Sequence, residues 1–199
     1  LIRFGDELIS VSLEAGNYFK ISGDDVAMTA FDQTLTGNFA FSQSDGLTRL
    51  KVTDAEFSYA DGLMTVSIPN GEFKVSSKGM TADFKVGISF GVDGISLPEG
   101  TELDFKFSTV PGSNPLKLSG GTIEDGLNVL INELNFVGAF EFEQVENKLE
   151  EKVVKISING LNLKVGNFVD IKDASASLLI VPQGVAGTFE FAGSPFTGP

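Results

Sequence analysis

Apolar and polar residues alternate along most of the chain. The clearest run is Phe84, Val86, Ile88 and Phe90, in which every second residue is apolar. A period of two is typical of β-strands, because successive side chains of a strand point to opposite faces. Strands are predicted over residues 7–14, 18–22, 26–31, 35–43, 47–59, 63–68, 73–77, 80–90, 103–107, 154–158, 161–165, 168–171, 176–181 and 185–191.

Glycine, proline, asparagine and aspartate mark the predicted boundaries between these strands. Asp61-Gly62 separates two alternating runs, which is a strong indication of a hairpin turn. Residues 91–101 and 110–115 are rich in Gly and Pro and are predicted to be loops. Three further turns are predicted at Gly23-Asp24-Asp25, Pro69-Asn70-Gly71 and Asn159-Gly160. A break in the strand over 47–59 is predicted at Thr53-Asp54.

Residues 122–134 are the only stretch that could form a helix. Their apolar residues fit helical spacing, but Gly126 argues against a helix. Leu127, Val129 and Ile131 also fit the period of a strand. We therefore favour a strand here.

The chain repeats two short motifs. Gly37-Asn38-Phe39-Ala40-Phe41-Ser42-Gln43 returns 101 residues later as Gly138-Ala139-Phe140-Glu141-Phe142-Glu143-Gln144. A closing motif at 73–84 returns at 178–189, and a weaker copy lies at 19–30. A repeat of about 50 residues is typical of tandem arrays. If the copies are equivalent, we expect Phe84 and Phe189 to be buried at matching sites, and Val75 and Ile180 likewise.

These motifs predict an all-β, elongated tandem-repeat array of mostly antiparallel strands, either a β-sandwich or β-solenoid-like. The predicted segments are the tail of a preceding repeat (1–36), a repeat module (37–91), a degenerate module (92–137), a second full module (138–193), and a linker or frayed end (194–199).

Composition narrows the possible functions. The chain has 18 Phe, no Cys and no His, and its net charge is −13. Without His or Cys, neither a Ser/His nor a Cys/His catalytic arrangement can form within this chain. No basic surface is expected, so nucleic-acid binding is not predicted. No long apolar run predicts a transmembrane segment. The chain starts within a strand pattern, so we expect it to be part of a longer protein.

Four Phe-x-Phe pairs are candidates for either core or ligand contacts. Aromatic rows on one face of a sheet usually form the core, and we favour that interpretation. The alternatives are an apolar groove that carries lipid and an aromatic face that binds sugar. The pairs are Phe39/Phe41, Phe105/Phe107, Phe140/Phe142 and Phe189/Phe191.

Aspartates on predicted turns are candidate calcium ligands. Ca²⁺ prefers carboxylate and carbonyl oxygens, which such turns can supply. The candidate metal ligands are Asp24, Asp25, Asp61 and Asp93, although no EF-hand loop is present. Turn formation explains the same residues without a metal, and no other cofactor is predicted.

The densest acidic cluster lies between residues 141 and 151. Paired carboxylates are the groups that hydrolyse glycosidic bonds, so a carboxylate glycoside hydrolase is a second alternative. Lys148 and Lys152 are interspersed with the acidic residues, which favours a solvated edge or loop instead. We therefore do not predict an enzyme.

The opening motif at 138–144 and the closing motif Ser177-Leu178-Leu179-Ile180-Val181-Pro182-Gln183-Gly184-Val185-Ala186-Gly187-Thr188-Phe189 resemble the tandem units of giant adhesin-like proteins exported by bacteria. The resemblance implies a structural or spacer segment at the bacterial cell surface or outside the cell, with an adhesive role as a further expectation. It implies neighbouring repeats of the same chain as partners, and other surface or matrix components beside them. It carries no catalytic residues over to this chain.

Overall fold

A computed structural model describes residues 2–4, 7–9, 19–30, 33–44, 47–112 and 116–191. These residues form strands and their connections, and no helix is present among them. The prediction of an all-β fold of antiparallel strands is confirmed. The strands are β1 (Ile2–Phe4), β2 (Glu7–Ile9), β3 (Phe19–Ala30), β4 (Gln33–Ser44), β5 (Leu47–Tyr59), β6 (Met64–Ser76), β7 (Gly79–Phe90), β8 (Ile95–Ser96), β9 (Leu103–Ser108), β10 (Leu116–Gly120), β11 (Leu127–Ile131), β12 (Leu134–Glu146), β13 (Lys152–Val165), β14 (Val169–Val181) and β15 (Gly184–Glu190).

Thirteen of these strands belong to one sheet. Its order is β15-β14-β13-β12-β10-β9-β7-β6-β5-β4-β3, while β11 pairs with β12 and with β8. The hairpin β1–β2 forms a separate sheet. Neighbours in sequence are therefore mostly neighbours in the sheet, as short hairpin connections dictate. The stretch 122–134, which could have been a helix, contains β11 and a turn at Asn132-Glu133 that leads into β12.

Three predicted turns lie inside continuous strands. Gly23-Asp24-Asp25 is part of β3, Pro69-Asn70-Gly71 is part of β6, and Asn159-Gly160 is part of β13. The predicted break at Thr53-Asp54 also lies within one strand, β5. The turn predictions at these positions are wrong, whereas the Asp61-Gly62 turn is confirmed.

β-Bulges explain three of these continuous strands, β3, β5 and β13, where the register with a neighbouring strand shifts. In β5 the buried positions step from Val52 to Ala55, three residues apart, and then alternate again. An extra residue in the strand keeps both halves facing the same side. The register with β4 shifts at this point, and Asp54 has a φ of 50°. Glycine, aspartate and asparagine tolerate this left-handed conformation, so a bulge and a turn use the same residue types.

The glycine of each opening motif faces such a bulge. Gly37 of β4 lies where the register with β5 shifts, and Gly138 of β12 lies where the register with β13 shifts. A Cβ on Gly37 would lie 2.6 Å from the Cα of Ala55. A Cβ on Gly138 would lie 3.0 Å from the carbonyl oxygen of Asn159. Both motifs therefore use glycine to let a bulged neighbouring strand approach closely.

The described residues divide into two compact units. The first comprises Leu1–Phe57, Val66–Gly87 and Asp104–Lys117, and the second comprises Ser58–Thr65, Ile88–Leu103 and Leu118–Pro199. In the first unit, Phe73 makes edge-to-face contacts with Phe84, Phe105 and Phe107, and Phe84 stacks on Phe105 at 4.7 Å. These offset and edge-to-face arrangements are the favourable ones for aromatic rings, so they form the aromatic part of this core.

In the second unit a polar contact accompanies the apolar core of β12 and β13. The buried hydroxyl of Tyr59 accepts a hydrogen bond from the Gln144 N–H at 2.7 Å. The side-chain oxygen of Gln144 in turn accepts one from the Ala60 N–H at 2.8 Å. Burial raises the pKa of the Tyr59 phenol, and the nearby charge of Glu143 acts in the same direction. The β5–β6 turn is thus held to β12 by a reciprocal pair of bonds.

The expected matching burial at the repeated positions is not observed. Phe84 is half-buried, whereas Phe189 is 39 % exposed. Val75 is half-buried, whereas Ile180 is completely buried. The first difference has a physical reason: β9 covers the outer side of β7, whereas β15 has only β14 as a partner among the described strands. The boundaries of the predicted modules stay a prediction.

Candidate functional site at the β3–β5 bulges

The polar face of β4 brings two bulges together. The bulge of β3 places Asp24 and Asp25 opposite Asn38 of β4, and the bulge of β5 places Asp54 beside the same residue. The Oδ1 atom of Asn38 accepts a hydrogen bond from the Asp25 N–H at 3.1 Å. Its Nδ2 atom donates to Asp54 Oδ2 at 3.5 Å. Asn38 therefore links a backbone group of one bulge to a carboxylate of the other.

An open hollow of about 470 Å³ lies on one side of this link. Three carboxylates line it, from Asp25, Asp54 and Glu56. Ser67 lies on the adjacent strand and donates a hydrogen bond to Glu56 Oε1 at 3.3 Å. The side chains are exposed, so water screens their mutual repulsion. The carboxylates make the hollow acidic, so it would attract cations.

A second hollow of about 260 Å³ is lined by Asn38 itself. Lys20 and Lys51 line it together with Asp24. Two ammonium groups beside one carboxylate make it less negative than the first hollow. The two hollows therefore differ in charge, and Asn38 lines the second of them.

The predicted calcium ligands are divided between the two units. Asp24 and Asp25 belong to the first unit, and Asp61 and Asp93 lie on turns of the second. In the part of the chain that the structure describes, no group of three or more His, Cys, Asp or Glu is placed to hold a metal ion. The calcium assignment stays a prediction. Sequence reasoning missed Asn38, Asp54 and Glu56, which the bulges place next to Asp25.

The acidic cluster of β12 and its following turn is largely exposed. Glu143 forms an ion pair with Lys155 at 3.3 Å, and both side chains are about two-fifths exposed. Asn147 organises the turn, because its Oδ1 accepts bonds from the Leu149 and Glu151 N–H groups. No charged side chain among the described residues is buried. The predicted solvated edge agrees with this arrangement.

The residues of the Phe-x-Phe pairs differ in burial. Phe39, Phe105, Phe140 and Phe142 are buried, as the core interpretation predicts. Phe107 is half-buried and contacts Phe73. Phe41 is 37 % exposed, and Phe189 and Phe191 are 39 % and 43 % exposed, so the core interpretation is wrong for these three. The exposed pair lies at the last strand of the sheet order, β15, and immediately after it.

Comparison of the chain with models of protein families, with curated proteins and with solved structures gave no match. Among the residues that the structure describes, no helix has the length and apolar character needed to cross a membrane. Functional inference therefore depends on the arrangement of the residues themselves.

Proposed function

We propose that this chain is a non-catalytic structural or spacer segment of an extracellular bacterial repeat protein. The observation that carries the proposal is a structural device that occurs twice. Gly37 and Gly138 open the two copies of the Gly-x-Phe-x-Phe motif, and each lies opposite a bulge of the next strand. The residue that completes the bulge has a positive φ in both copies, 50° at Asp54 and 61° at Gly160.

The closing motifs support the same proposal. In each of the hairpins β6–β7 and β14–β15, a two-residue turn is followed by a glycine with positive φ that begins the second strand. Gly79 has a φ of 135° and Gly184 a φ of 132°. Each glycine begins the fourth of four consecutive strands, β4 to β7 and β12 to β15. What recurs is thus the set of glycines and bulges that determines backbone shape, as expected of a structural repeat.

The distribution of charge fits a segment displayed at high density. The chain carries a net charge of −13, and no charged side chain among the described residues is buried. Exposed charge of one sign keeps neighbouring molecules apart and soluble. An adhesive contribution would come from the exposed polar surfaces of β3 to β5.

The location is tested on intact producing cells with antibodies raised against this chain. We expect labelling without permeabilisation, and removal of the epitope by a protease added outside the cells. Labelling that requires permeabilisation would contradict the proposal. Native mass spectrometry of the purified chain tests the rival functions in parallel, because a copurifying lipid would favour the lipid carrier. Release of sugars from glycans by the chain would favour the hydrolase.

A further inference from the structure

Among the described strands, β15 is an edge strand with a regular backbone. It comprises seven residues, Gly184–Glu190, and pairs only with β14 among the described strands. Natural edges are commonly interrupted by proline, lysine or a bulge. β15 contains no proline or lysine, and its register with β14 is unbroken. At the other end of the sheet order, β3 carries a bulge with Asp24 and Asp25. The two edges therefore differ, and only β15 is regular.

β7 holds the position in β4–β7 that β15 holds in β12–β15, and a further strand pairs with its outer side. The outer neighbour of β7 in the sheet is β9. Directly after β9, the Thr109 N–H donates to the carbonyl of Met80 at 2.9 Å. The Met80 N–H donates to Thr109 Oγ1 at 2.8 Å. The backbone N–H and C=O of Met80, the residue after Gly79, therefore point away from β6 and bond to Thr109.

The same geometry applies to β15. Val181 and Gly184 flank a two-residue turn and pair with each other. The residues that flank such a turn bond to each other, so the backbone groups of the following residue point away from the hairpin partner. The outward-pointing residues of β15 are therefore Val185, Gly187 and Phe189. A Cβ on Gly79 would lie 2.7 Å from Thr109 Oγ1, whereas a Cβ on Gly184 would meet nothing within 4 Å.

Aromatic contacts make the comparison specific. Phe84 of β7 stacks on Phe105 of β9 with ring centroids 4.7 Å apart and planes 16° apart. Phe189 holds the same position of the closing motif on β15. It stacks on Phe136 at 6.0 Å and remains 39 % exposed. The ring on the adjoining strand, which Phe105 supplies to β7, has no counterpart among the described residues at β15.

We propose that β15 accepts an incoming antiparallel strand with a Phe-x-Phe sequence of the β9 type, supplied by a following repeat of the same tandem chain. This inference rests on the proposed function as a repeat segment. Backbone groups of Val185, Gly187 and Phe189 bond to the new strand, and its first Phe stacks on Phe189. Strand addition at an edge takes its affinity from main-chain bonds and its specificity from alternate side chains.

A labelled synthetic peptide with the sequence of residues 101–109 is the probe. Its binding to the full chain is measured by fluorescence anisotropy. We expect saturable binding that weakens about tenfold or more when Phe105 and Phe107 of the peptide are replaced by Ser, because an aromatic stack is lost.

Val185→Pro in the chain removes an outward N–H without removing a bond to β14. It is expected to weaken binding about tenfold or more, whereas Ala186→Ser is the matched control with unchanged binding.

Each other outcome overturns the inference. Absence of saturable binding, equal affinity of the Phe-free peptide, or unchanged binding to Val185→Pro would each do so. A concentration-dependent dimer that Val185→Pro abolishes would identify a second copy as the occupant instead. Circular dichroism checks that Val185→Pro is folded, and Phe189→Ser replaces it if it is not. The antibody test on intact cells does not depend on this binding, so failure of strand addition and failure of the proposed function are distinguishable.

Discussion

Replacement of Gly37 by alanine tests the role assigned to the opening motif. The new methyl group would lie 2.6 Å from the Cα of Ala55 and would overlap the Ala55 Cβ. Both atoms belong to the bulged strand β5, so no flexible side chain can move aside. Either the bulge must shift or β4 and β5 must separate locally.

The expected cost follows from overpacking of a buried site. Forcing an extra methyl group into a packed interior costs about 1–3 kcal/mol. Loss of glycine from a strand interior contributes about 0.5–1 kcal/mol in the opposite direction. Because the close contacts are with the Cα and Cβ of Ala55, the overpacking cost is expected in the upper part of that range, about 2–3 kcal/mol. The net free energy of unfolding is then expected to fall by about 1–2.5 kcal/mol, which lowers the melting temperature of a chain of this length by roughly 2–10 °C.

Gly87→Ala is the matched control in the same unit. A Cβ on Gly87 of β7 would meet its nearest atom, the Ser67 Cβ, at 3.8 Å, which is ordinary contact. This variant is expected to be as stable as the wild type or about 0.5–1 kcal/mol more stable. Calorimetry and urea unfolding of both variants decide the question. Equal stability of Gly37→Ala and Gly87→Ala would refute the argument that glycine is required opposite the bulge.

The remaining predictions concern the bulge, Tyr59 and the second motif. Asp54→Ala should lower the free energy of unfolding by about 1 kcal/mol because alanine disfavours positive φ, whereas Asp54→Gly should be nearly neutral; urea midpoints compare them. Tyr59→Phe should cost about 1–2 kcal/mol, since the Gln144 N–H loses its acceptor. The raised pKa of Tyr59 favours the protonated phenol in the folded state, so its contribution is present below the unfolded pKa of about 10 and is lost as the pH rises through the raised value. Alkaline unfolding above pH ~10 should therefore be steeper in the wild type than in Tyr59→Phe. Gly138→Ala should destabilise less than Gly37→Ala, because its closest contacts are 3.0 Å; calorimetry ranks the two.

The sequence predicted most of the long strands because their determinants are local, but β10 and β12 were not among the predicted strands. Alternation identified β5, β7, β13 and β14, and Asp61-Gly62 identified the turn after β5. The bulges were mistaken for turns because both need residues that accept positive φ. The distinguishing feature was the step of three from Val52 to Ala55 between two alternating runs. Whether such a step bends or reverses the chain depends on the partner strand, which local sequence does not contain.

The candidate site was only partly predictable for the same reason. Asp25 was predicted as a metal ligand from its residue type. Its hydrogen-bond partner Asn38 lies 13 residues further along the chain, and Asp54, the partner of Asn38, lies another 16 residues on. Their proximity depends on the register of β3, β4 and β5, which the bulges displace. A one-residue change of register would send every side chain of a strand to the other face. Composition therefore identified the kind of residue, whereas only the fold identified the group.

Residue-resolved amide hydrogen exchange tests the central claim most directly, namely that β4–β7 and β12–β15 share one backbone plan and differ in whether their last strand has an outer neighbour. Met80, Ala82 and Phe84 of β7 should be protected, because β9 occupies the outer side of β7. Val185, Gly187 and Phe189 should exchange rapidly, while Ala186 and Thr188 between them should be protected by β14. Addition of the peptide of residues 101–109 should slow the exchange of Val185, Gly187 and Phe189. Uniform protection along β15 without the peptide, or rapid exchange of the outward amides of β7, would contradict the account.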